Sequence, residues 1–248
     1  GQIKGVFEVF HRSPLSPTPD WMEFLHTLAG QAAIAIDGTQ LFENLQRSNQ
    51  ELTQAYDTTL EGWARALELR DRETEGHTRR VTELTIRLAR YMGVRESDLV
   101  NIRRGVLLHD IGKMGVPDHI LKKQGELTEK EWEEMRQHPV YAYNLLSPIS
   151  FLRGVLDIPY CHHEHWDGNG YPRGVRGEQI PLAARIFSVV DNWDALLSDR
   201  PYRRARPREA VITHLREIAG KALDPQIVEF FLTVVEEEEN GTGCVSAP

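Results

Sequence analysis

Apolar residues along this chain recur mostly at three- and four-residue steps, the spacing of one face of an α-helix. The exception is the start, where Ile3, Val6 and Phe10 indicate a short extended run that prolines at positions 14, 17 and 19 interrupt. A helical pattern then begins at about Asp20, a residue suited to the N-cap, and continues without a proline to Leu67. We therefore predict a short extended segment followed by one unusually long helix.

The long predicted helix carries a loose apolar seam, which polar Ser48 and Asn49 interrupt. Such a seam favours a parallel coiled-coil dimer stalk, because two helices can bury it against each other. The alternative is a connector helix that lies on its own domain. The seam consists of Leu41, Leu45, Leu52, Tyr56, Leu60, Trp63 and Leu67.

From residue 70 onward, glycines, prolines and capping residues divide the pattern into shorter helices. Gly93 is placed as the C-terminal glycine of one helix, and another, over 98–111, ends before Gly112. Thr128 and Glu131 form the signature of a capping box that opens a third helix. No strand alternation is visible after residue 20, so we predict an all-α bundle for the main body.

Composition excludes several classes of protein. The 248 residues include 29 Lys+Arg against 37 Asp+Glu, a formal charge of −8, which argues against general binding of nucleic acid or anionic membranes. No apolar run reaches the roughly 18–20 residues of a membrane helix. Two cysteines, Cys161 and Cys244, are too few for a disulfide framework or a thiolate metal site. Because the first residue is Gly1 and not Met, we expect a fragment of a longer protein.

Several histidines and carboxylates lie where an apolar helix would have to bury them. Asp191 occupies an apolar helical segment, His109-Asp110 follows the apolar residues 106–108, and His162-His163 opens a loop. A buried carboxylate is costly unless a cation compensates its charge. One such residue alone would be interpreted as a hydrogen-bonded core residue. Several in one helical chain are more simply satisfied by a shared metal cluster.

The types of candidate ligand narrow the choice of metal. Imidazole and carboxylate groups without thiolate suit Fe, Mn, Co, Ni or Zn, and they do not suit an iron–sulfur or a structural zinc site. More than four candidate ligands, with carboxylates able to bridge, imply at least two ions. Two ions held by His and Asp are typical of phosphoester hydrolysis, in which they polarise the phosphate and activate a water.

A cluster of five arginines between positions 200 and 208 supports a phosphate-containing substrate. The planar guanidinium group matches the oxygens of a phosphate. We assign this role to Arg200 and Arg203, which lie nearest the predicted helix end. For Arg204, Arg206 and Arg208 we favour the alternative of a solvated loop that pairs with surface acids.

The chain contains the motifs HDIGK at 109–113, HHE at 162–164 and DGNGYP at 167–172. Together they resemble the HD-GYP subfamily of HD-domain metal phosphohydrolases, over residues 60 to 235. The HD pair alone would indicate only the broad HD superfamily, whereas HHE and DGNGYP together form a long motif that is specific. The resemblance implies an HD-domain helical bundle that binds two or three divalent transition metal ions, Fe or Mn. The metal ligands that it implies are Glu73, His77, His109, Asp110, His138, His162, His163 and Asp191.

The resemblance also implies roles in catalysis and substrate binding. Asp110 and Lys113 are the implied catalytic residues, and Lys113, Arg200, Arg203 and Tyr171 would bind substrate. Glu73 stands where many members have an aromatic residue, and a glutamate there looks like a ligand for a third ion. The alternative for Glu73 is an exposed carboxylate at a helix start.

The activity that the resemblance implies is hydrolysis of cyclic di-GMP, a bacterial second messenger. A metal-bound hydroxide would open it to linear pGpG or on to GMP, in the cytoplasm. Two alternatives remain. One is a non-catalytic cyclic di-GMP receptor that presents the signature loop, the DGNGYP motif at 167–172, to a protein partner. The other is an HD hydrolase that acts on another cyclic nucleotide. Because no ligand position of the motif has decayed, the sequence favours catalysis.

The first part of the chain is similar to the end of a GAF sensory domain, on the stretches 5–10, 24–36 and 41–42. A short strand-and-helix extension without sensory ancestry is the alternative. We therefore expect a GAF-like remnant over 1–45, a helical linker or stalk over 46–70, an HD-GYP catalytic domain over 71–235 and an acidic, disordered tail over 236–248.

Overall fold

A computed structural model of the chain describes residues 3–71, 76–199 and 204–239. Within these ranges no residue belongs to a β-strand, and α-helices joined by short 3-10 turns form the structure, which confirms the predicted all-α fold. The helices are α1 (Pro19–Asp71), α2 (His77–Tyr91), α3 (Glu96–Leu107), α4 (Asp118–Leu121), α5 (Glu129–Met135), α6 (His138–Leu146), α7 (Asp157–Cys161), α8 (Leu182–Leu197), α9 (Arg208–Ile218) and α10 (Pro225–Glu239); 3-10 helices span Ile111–Gly115, Ser150–Val155 and Gly177–Gln179.

The chain divides into two compact units, residues 1–58 and 59–248. In the first, residues 3–18 form no strand, because an isolated extended run has no neighbour to pair with. The predicted N-cap at Asp20 is also displaced, since Thr18 Oγ1 accepts the hydrogen bond from the Trp21 amide at 3.3 Å. None of the described residues from 3 to 58 is buried. The GAF-like ancestry of this unit stays a prediction.

The second unit begins at Thr59, before the boundary predicted at residue 71. The reason lies in the last turns of α1, where Leu60, Ala64 and Leu67 are buried inside this unit. The seam predicted for a coiled coil is therefore buried at its end and exposed in its earlier part. Leu60 and Leu67 pack within their own unit, whereas Leu41 is 72% exposed.

Two large hydrophobic cores, with a small third cluster of Cys161, Ile180 and Ala184, hold the described part of the second unit together. The larger one joins α2, α3, α8, α9 and α10 through residues such as Leu88, Phe187, Trp193 and Phe231. The smaller one joins the end of α1, the 3-10 turn Ile111–Gly115 and α6, and it consists of Leu60, Leu108, Ile111, Ala142, Leu146, Leu152 and Val155.

The ends of the helices follow local capping chemistry. The predicted capping box is confirmed, with Thr128 and Glu131 exchanging backbone and side-chain hydrogen bonds at the start of α5. The helix predicted over 98–111 ends instead at Leu107, because the chain tightens into 3-10 turns from there. Helix α10 continues to Glu239, into the predicted acidic tail, and residues 240–248 lie outside the described ranges. Among the described helices, none has the length and apolar character to span a bilayer.

Candidate metal centre

The structure gathers seven of the eight predicted metal ligands into two groups. Within each group, one possible ligand atom per residue lies within 4.8 Å of every other. Six of the seven side chains come from helix ends and turns far apart in sequence. The first group is Asp110, His138, His162 and His163, and the second is His77, His109 and Asp191.

The HD pair lies in the seam between the two cores. Val106 packs in the larger core, whereas Leu108 and Ile111 pack in the smaller one. The chain therefore crosses from the larger core to the smaller one between Val106 and Leu108, and His109 and Asp110, both buried, follow directly after the crossing. The apolar neighbours that made these residues conspicuous in the sequence are what fix them in place.

Gly112 brings the HD pair next to the helix that carries His138. A Cβ at Gly112 would lie 1.8 Å from the His138 carbonyl oxygen and 2.6 Å from the Ala142 amide nitrogen. Only a glycine allows the two backbones to approach so closely. This contact accounts for the residue that follows His-Asp-Ile in the first motif.

Backbone carbonyls fix the orientation of three imidazoles. The Nδ1 atoms of His109 and His138 each lie 2.8 Å from a carbonyl oxygen, of Val106 and Met135, and the Nδ1 of His162 lies 3.0 Å from that of Ile158. Because a carbonyl only accepts, the proton of each ring resides on Nδ1. Each Nε2 is then left with a lone pair, the form in which histidine binds a metal.

The lone pairs of these Nε2 atoms point toward one another, and this arrangement shows whether a cation fits between them. The Nε2 atoms of His138 and His162 lie 3.4 Å apart, and burial lowers the pKa of His138 to about 3, so this ring is neutral. Two acceptors that face each other in a buried site repel unless a cation lies between them. The donor set therefore fits a divalent transition metal with imidazole and carboxylate ligands.

Asp110 is the carboxylate at the middle of the first group. Its Oδ1 lies 3.4 Å from the Nε2 of His138 and 3.7 Å from that of His162, and its Oδ2 lies 3.1 Å from His109 Nε2. Burial alone would raise the pKa of Asp110, but the positive charge of Lys113 holds it well below its usual range. Asp110 is thus ionised and touches both groups.

Lys113 lies at the edge of the centre, between two carboxylates. Its Nζ is 2.7 Å from Asp110 Oδ2 and 2.6 Å from Asp71 Oδ2. The resemblance implies that Lys113 binds the substrate phosphate, and this role stays a prediction. In the structure the charge of Lys113 lies beside the candidate ligand Asp110. Asp71 contacts Lys113 directly, so it positions the lysine.

Asp194 orients His77 and was missed in the sequence. Its Oδ2 accepts from His77 Nδ1 at 2.7 Å, while Arg80 donates to both carboxylate oxygens at 2.7 and 2.9 Å. Burial would raise the pKa of Asp194, but the hydrogen bonds from His77 and Arg80 lower it to about 2. The ionised Asp194 keeps the proton on Nδ1 and aims Nε2 at Asp191, 3.5 Å away.

The signal for Asp194 was present but unused. It is a carboxylate on the apolar helix α8, three residues after Asp191, and its side chain is the more buried of the two, so its burial is the more costly. Spacing alone could not distinguish a ligand from the residue that orients a ligand.

We expect Asp194→Asn to weaken metal binding in the second group, because an amide cannot hold the His77 proton as firmly as a carboxylate. Loss of such an orienting partner lowers metal affinity by about 10–100-fold. Competition with a chelator, followed by metal analysis, measures the change. Asp199→Asn, at an exposed position two residues after the end of α8, serves as the control. Equal affinity of wild type and Asp194→Asn would refute the orienting role.

The signature loop folds back onto the HHE motif. The Tyr171 amide donates to the His163 carbonyl at 3.1 Å, and its ring stacks on His163 with a centroid distance of 4.7 Å. The buried Glu164 carboxylate accepts from the amides of Arg173 and Val175. A Cβ at Gly170 would lie 2.2 Å from the His165 amide nitrogen, so glycine is needed for this turn. The loop therefore places Tyr171 beside the first group.

A comparison with protein families identifies this arrangement. The profile described as the HD domain matches residues 62–227, about two thirds of the chain. The chain belongs to the HD domain family. The match covers all seven grouped side chains, and it extends from the last turns of α1 to the start of α10.

Curated relatives of this HD domain are cyclic dinucleotide enzymes. The "cyclic di-GMP phosphodiesterase" of Thermotoga maritima is 42% identical over 172 residues, which cover 68% of this chain and 47% of the relative. The "cyclic di-GMP phosphodiesterase response regulator RpfG" of Xanthomonas campestris is 39% identical over 194 residues, 77% of this chain and 51% of the relative. The chain thus spans about half the length of these relatives. The predicted resemblance to the HD-GYP phosphohydrolases is confirmed.

A solved structure supports the fold. That of a cyclic GMP-AMP specific phosphodiesterase from V. cholerae matches with a TM-score of 0.59 at 18% identity, over 75% of this chain and 50% of that one. At this identity the likeness concerns the HD-domain bundle alone.

Three predicted site residues, Glu73, Arg200 and Arg203, lie outside the described residues of the HD domain. Their roles stay predictions. Two neighbours of the arginines are described: the Arg208 guanidinium lies over the Trp193 ring, and Arg206 donates its amide to the Leu196 carbonyl.

Arg70 is a second residue that the sequence did not reveal. Its guanidinium donates to the carbonyls of Lys113, Met114 and Val116 at 3.2, 2.8 and 2.9 Å, and to the Asp118 carboxylate. The Lys113 carbonyl also accepts from the Val116 amide at 3.0 Å, and Arg70 adds side-chain donors to the carbonyls at the end of this 3-10 turn. The end of α1 therefore clamps the segment that carries Lys113 within the HD domain, a pairing over more than forty positions that no local pattern indicates.

Proposed function

We propose that this chain is a metal-dependent phosphodiesterase that hydrolyses cyclic di-GMP to linear pGpG, to GMP or to both. The observation that carries the proposal is the convergence of seven imidazole and carboxylate side chains into two adjacent groups, each large enough to hold one ion. Two ions side by side are the arrangement suited to displacement at a phosphodiester. The names of the relatives from Thermotoga and Xanthomonas support the substrate.

The residues of the chain have separate tasks in this proposal. Asp110, His138, His162 and His163 would hold one ion, and His77, His109 and Asp191 the other. Bound metal supplies Lewis acidity toward the phosphate and lowers the pKa of a water molecule. Fe or Mn is the proposed metal, as the resemblance to the HD-GYP subfamily implies, and ligands that combine imidazole with carboxylate suit either one.

In our proposal, Lys113 and the ring of Tyr171 lie at the edge of the metal centre that faces the substrate. The Lys113 ammonium, next to the carboxylate of Asp110, would neutralise charge that develops on the phosphate oxygens. Arg200 and Arg203 would bind the remaining phosphate, through the planar guanidinium fork.

Chromatography of the reaction products tests the proposal. Protein purified without oxygen and reconstituted with Fe(II) or Mn(II) is incubated with cyclic di-GMP, and the nucleotides are separated and quantified. We expect pGpG or GMP to accumulate in proportion to the metal bound. Bound metal and bound cyclic di-GMP without any product would refute the enzyme and support the receptor alternative. Turnover of another cyclic nucleotide in preference to cyclic di-GMP would support the third alternative.

The third ion that Glu73 would help to hold gives a separate prediction. We expect Glu73→Ala to lower the metal content by about one ion per chain, because a trinuclear site would lose one of its carboxylates. Elemental analysis of wild type and variant purified side by side measures the difference. Identical stoichiometry would refute the ligand role and favour the exposed carboxylate.

We also propose a homodimer formed by the part of α1 before Thr59. In this part Leu41 and Leu45 are 72% and 67% exposed, and a second copy would bury such a seam. Analytical ultracentrifugation at tens of micromolar is expected to give the mass of a dimer. Leu41→Glu with Leu45→Glu is expected to give a monomer with unchanged helical content. A monomeric wild type would contradict the proposal. The cytoplasmic location and the protein partner at the signature loop stay predictions.

A further inference from the structure

An arginine that the proposed mechanism does not use lies beside the signature loop. Arg136 follows the last residue of α5, and its Cζ is 5.7 Å from the centroid of the Tyr171 ring and 5.9 Å from that of Trp132. Both distances are within the range of a cation–π contact. The guanidinium is therefore held by two aromatic rings.

This arginine is connected to the candidate metal centre through one ring. Tyr171 stacks on His163 at 4.7 Å with an interplanar angle of 25°, and His163 belongs to the first group of candidate ligands. The order His163, Tyr171, Arg136, Trp132 leads outward from the centre. Trp132 at the outer end is 46% exposed, so a ligand can approach it from solvent.

The donors of Arg136 are not engaged by protein. Within residues 3–71, 76–199 and 204–239, the guanidinium makes no hydrogen bond and no ion pair, and its contacts are with the two rings. Arg80 and Arg185 in the same unit each pair with a buried carboxylate. A guanidinium held by rings alone keeps five N–H donors available for a ligand.

A purine base has the chemistry that this arrangement fits. Guanine presents two adjacent acceptors, O6 and N7, which match the fork of an arginine. Adenine presents N7 beside the N6 amino group, a donor that faces the guanidinium unfavourably. Exposed aromatic faces next to an arginine also stack well with a base.

We infer that Arg136, held between Tyr171 and Trp132, binds the acceptor edge of a guanine base and gives the site its preference for guanine nucleotides. This inference deepens the proposed function, because the base belongs to the dinucleotide whose phosphate lies at the metal centre. It assigns a base-binding residue that the motifs did not contain.

The test compares base preference rather than activity alone. Affinities for GMP and AMP are measured by titration calorimetry on the metal-loaded protein, and kcat/KM is measured with cyclic di-GMP, 3′3′-cGAMP and cyclic di-AMP. We expect wild type to prefer guanine. Arg136→Ala is expected to reduce the ratio of GMP to AMP affinity about fivefold or more. Arg136→Gln is expected to shift the preference toward adenine, because a glutamine amide matches N6 and N7.

Arg173→Ala is the matched control, since Arg173 is a second arginine over a tyrosine ring, with its Cζ 6.0 Å from the centroid of Tyr160 and not of Tyr171. It should leave the ratio unchanged. An equal loss of GMP and AMP affinity in Arg136→Ala would assign the guanidinium to phosphate and overturn the base assignment. Unchanged affinities, or a wild type without guanine preference, would overturn the subsite. Because mononucleotide affinity needs no turnover, an inactive wild type with a ratio that depends on Arg136 would refute the proposed activity alone.

Discussion

We expect the Asp110→Asn variant to lose bound metal and to hydrolyse cyclic di-GMP more than about 10³-fold more slowly than wild type. Asp110 has oxygens near imidazoles of both groups, 3.4 Å from His138 Nε2 and 3.1 Å from His109 Nε2. The substitution keeps the shape but removes the charge, and it turns an N–H donor toward Lys113 or an imidazole. The lost negative charge and the misdirected N–H donor both weaken binding of the cation, so metal content and kcat should fall together.

Metal analysis and initial rates on the same preparation measure the effect of Asp110→Asn. Asp98→Asn is a suitable control, because Asp98 pairs with an Arg95 side chain that is 80% exposed, and such a pair contributes little to stability. If the Asp110→Asn variant retained full metal content and full activity, Asp110 would not be a metal ligand.

The second large effect is expected at Gly112, where substitution by alanine should unfold or displace the site. The added Cβ would lie 1.8 Å from the His138 carbonyl oxygen and 2.6 Å from the Ala142 amide nitrogen. Both are backbone atoms, so the 3-10 turn and α6 must separate, and His138 moves away from Asp110. We expect a loss of stability of about 3 kcal/mol and a parallel loss of metal.

Thermal and urea unfolding followed by circular dichroism measures the loss at Gly112. Gly62→Ala provides the matched control, since this glycine lies inside α1 with no atom within 4 Å of the added Cβ. There the same substitution is expected to stabilise the helix by up to about 1 kcal/mol. Equal melting temperatures for wild type and Gly112→Ala would show that the two backbones are not held in contact.

The helical fold was predictable because its signals are local. Helical spacing, the Thr128 capping box and the glycine after α2 each act within a few residues, and each appears in the structure. What local signals could not show is which neighbour an apolar face meets. Leu60 and Leu67 fitted a coiled-coil seam, but they are buried within the second unit because the smaller core needs the end of α1.

The candidate site was predictable where the residue itself is anomalous in its surroundings. His109, Asp110 and Asp191 are polar groups in apolar segments, and the cost of burying them implied a partner. Residues that act through a long-range pairing were missed. Arg70 and Arg136 are ordinary helix residues in the sequence, and only the folded chain places one on the turn of Lys113 and the other beside Tyr171.

Anomalous diffraction from crystals of the metal-loaded protein tests the central claim most directly. Data collected at the iron and manganese absorption edges locate each ion and identify it in the same experiment. We predict two peaks, one among Asp110, His138, His162 and His163 and the other among His77, His109 and Asp191. No anomalous peak at these side chains in crystals that contain metal, or peaks only elsewhere on the molecule, would contradict the assignment of a metal centre.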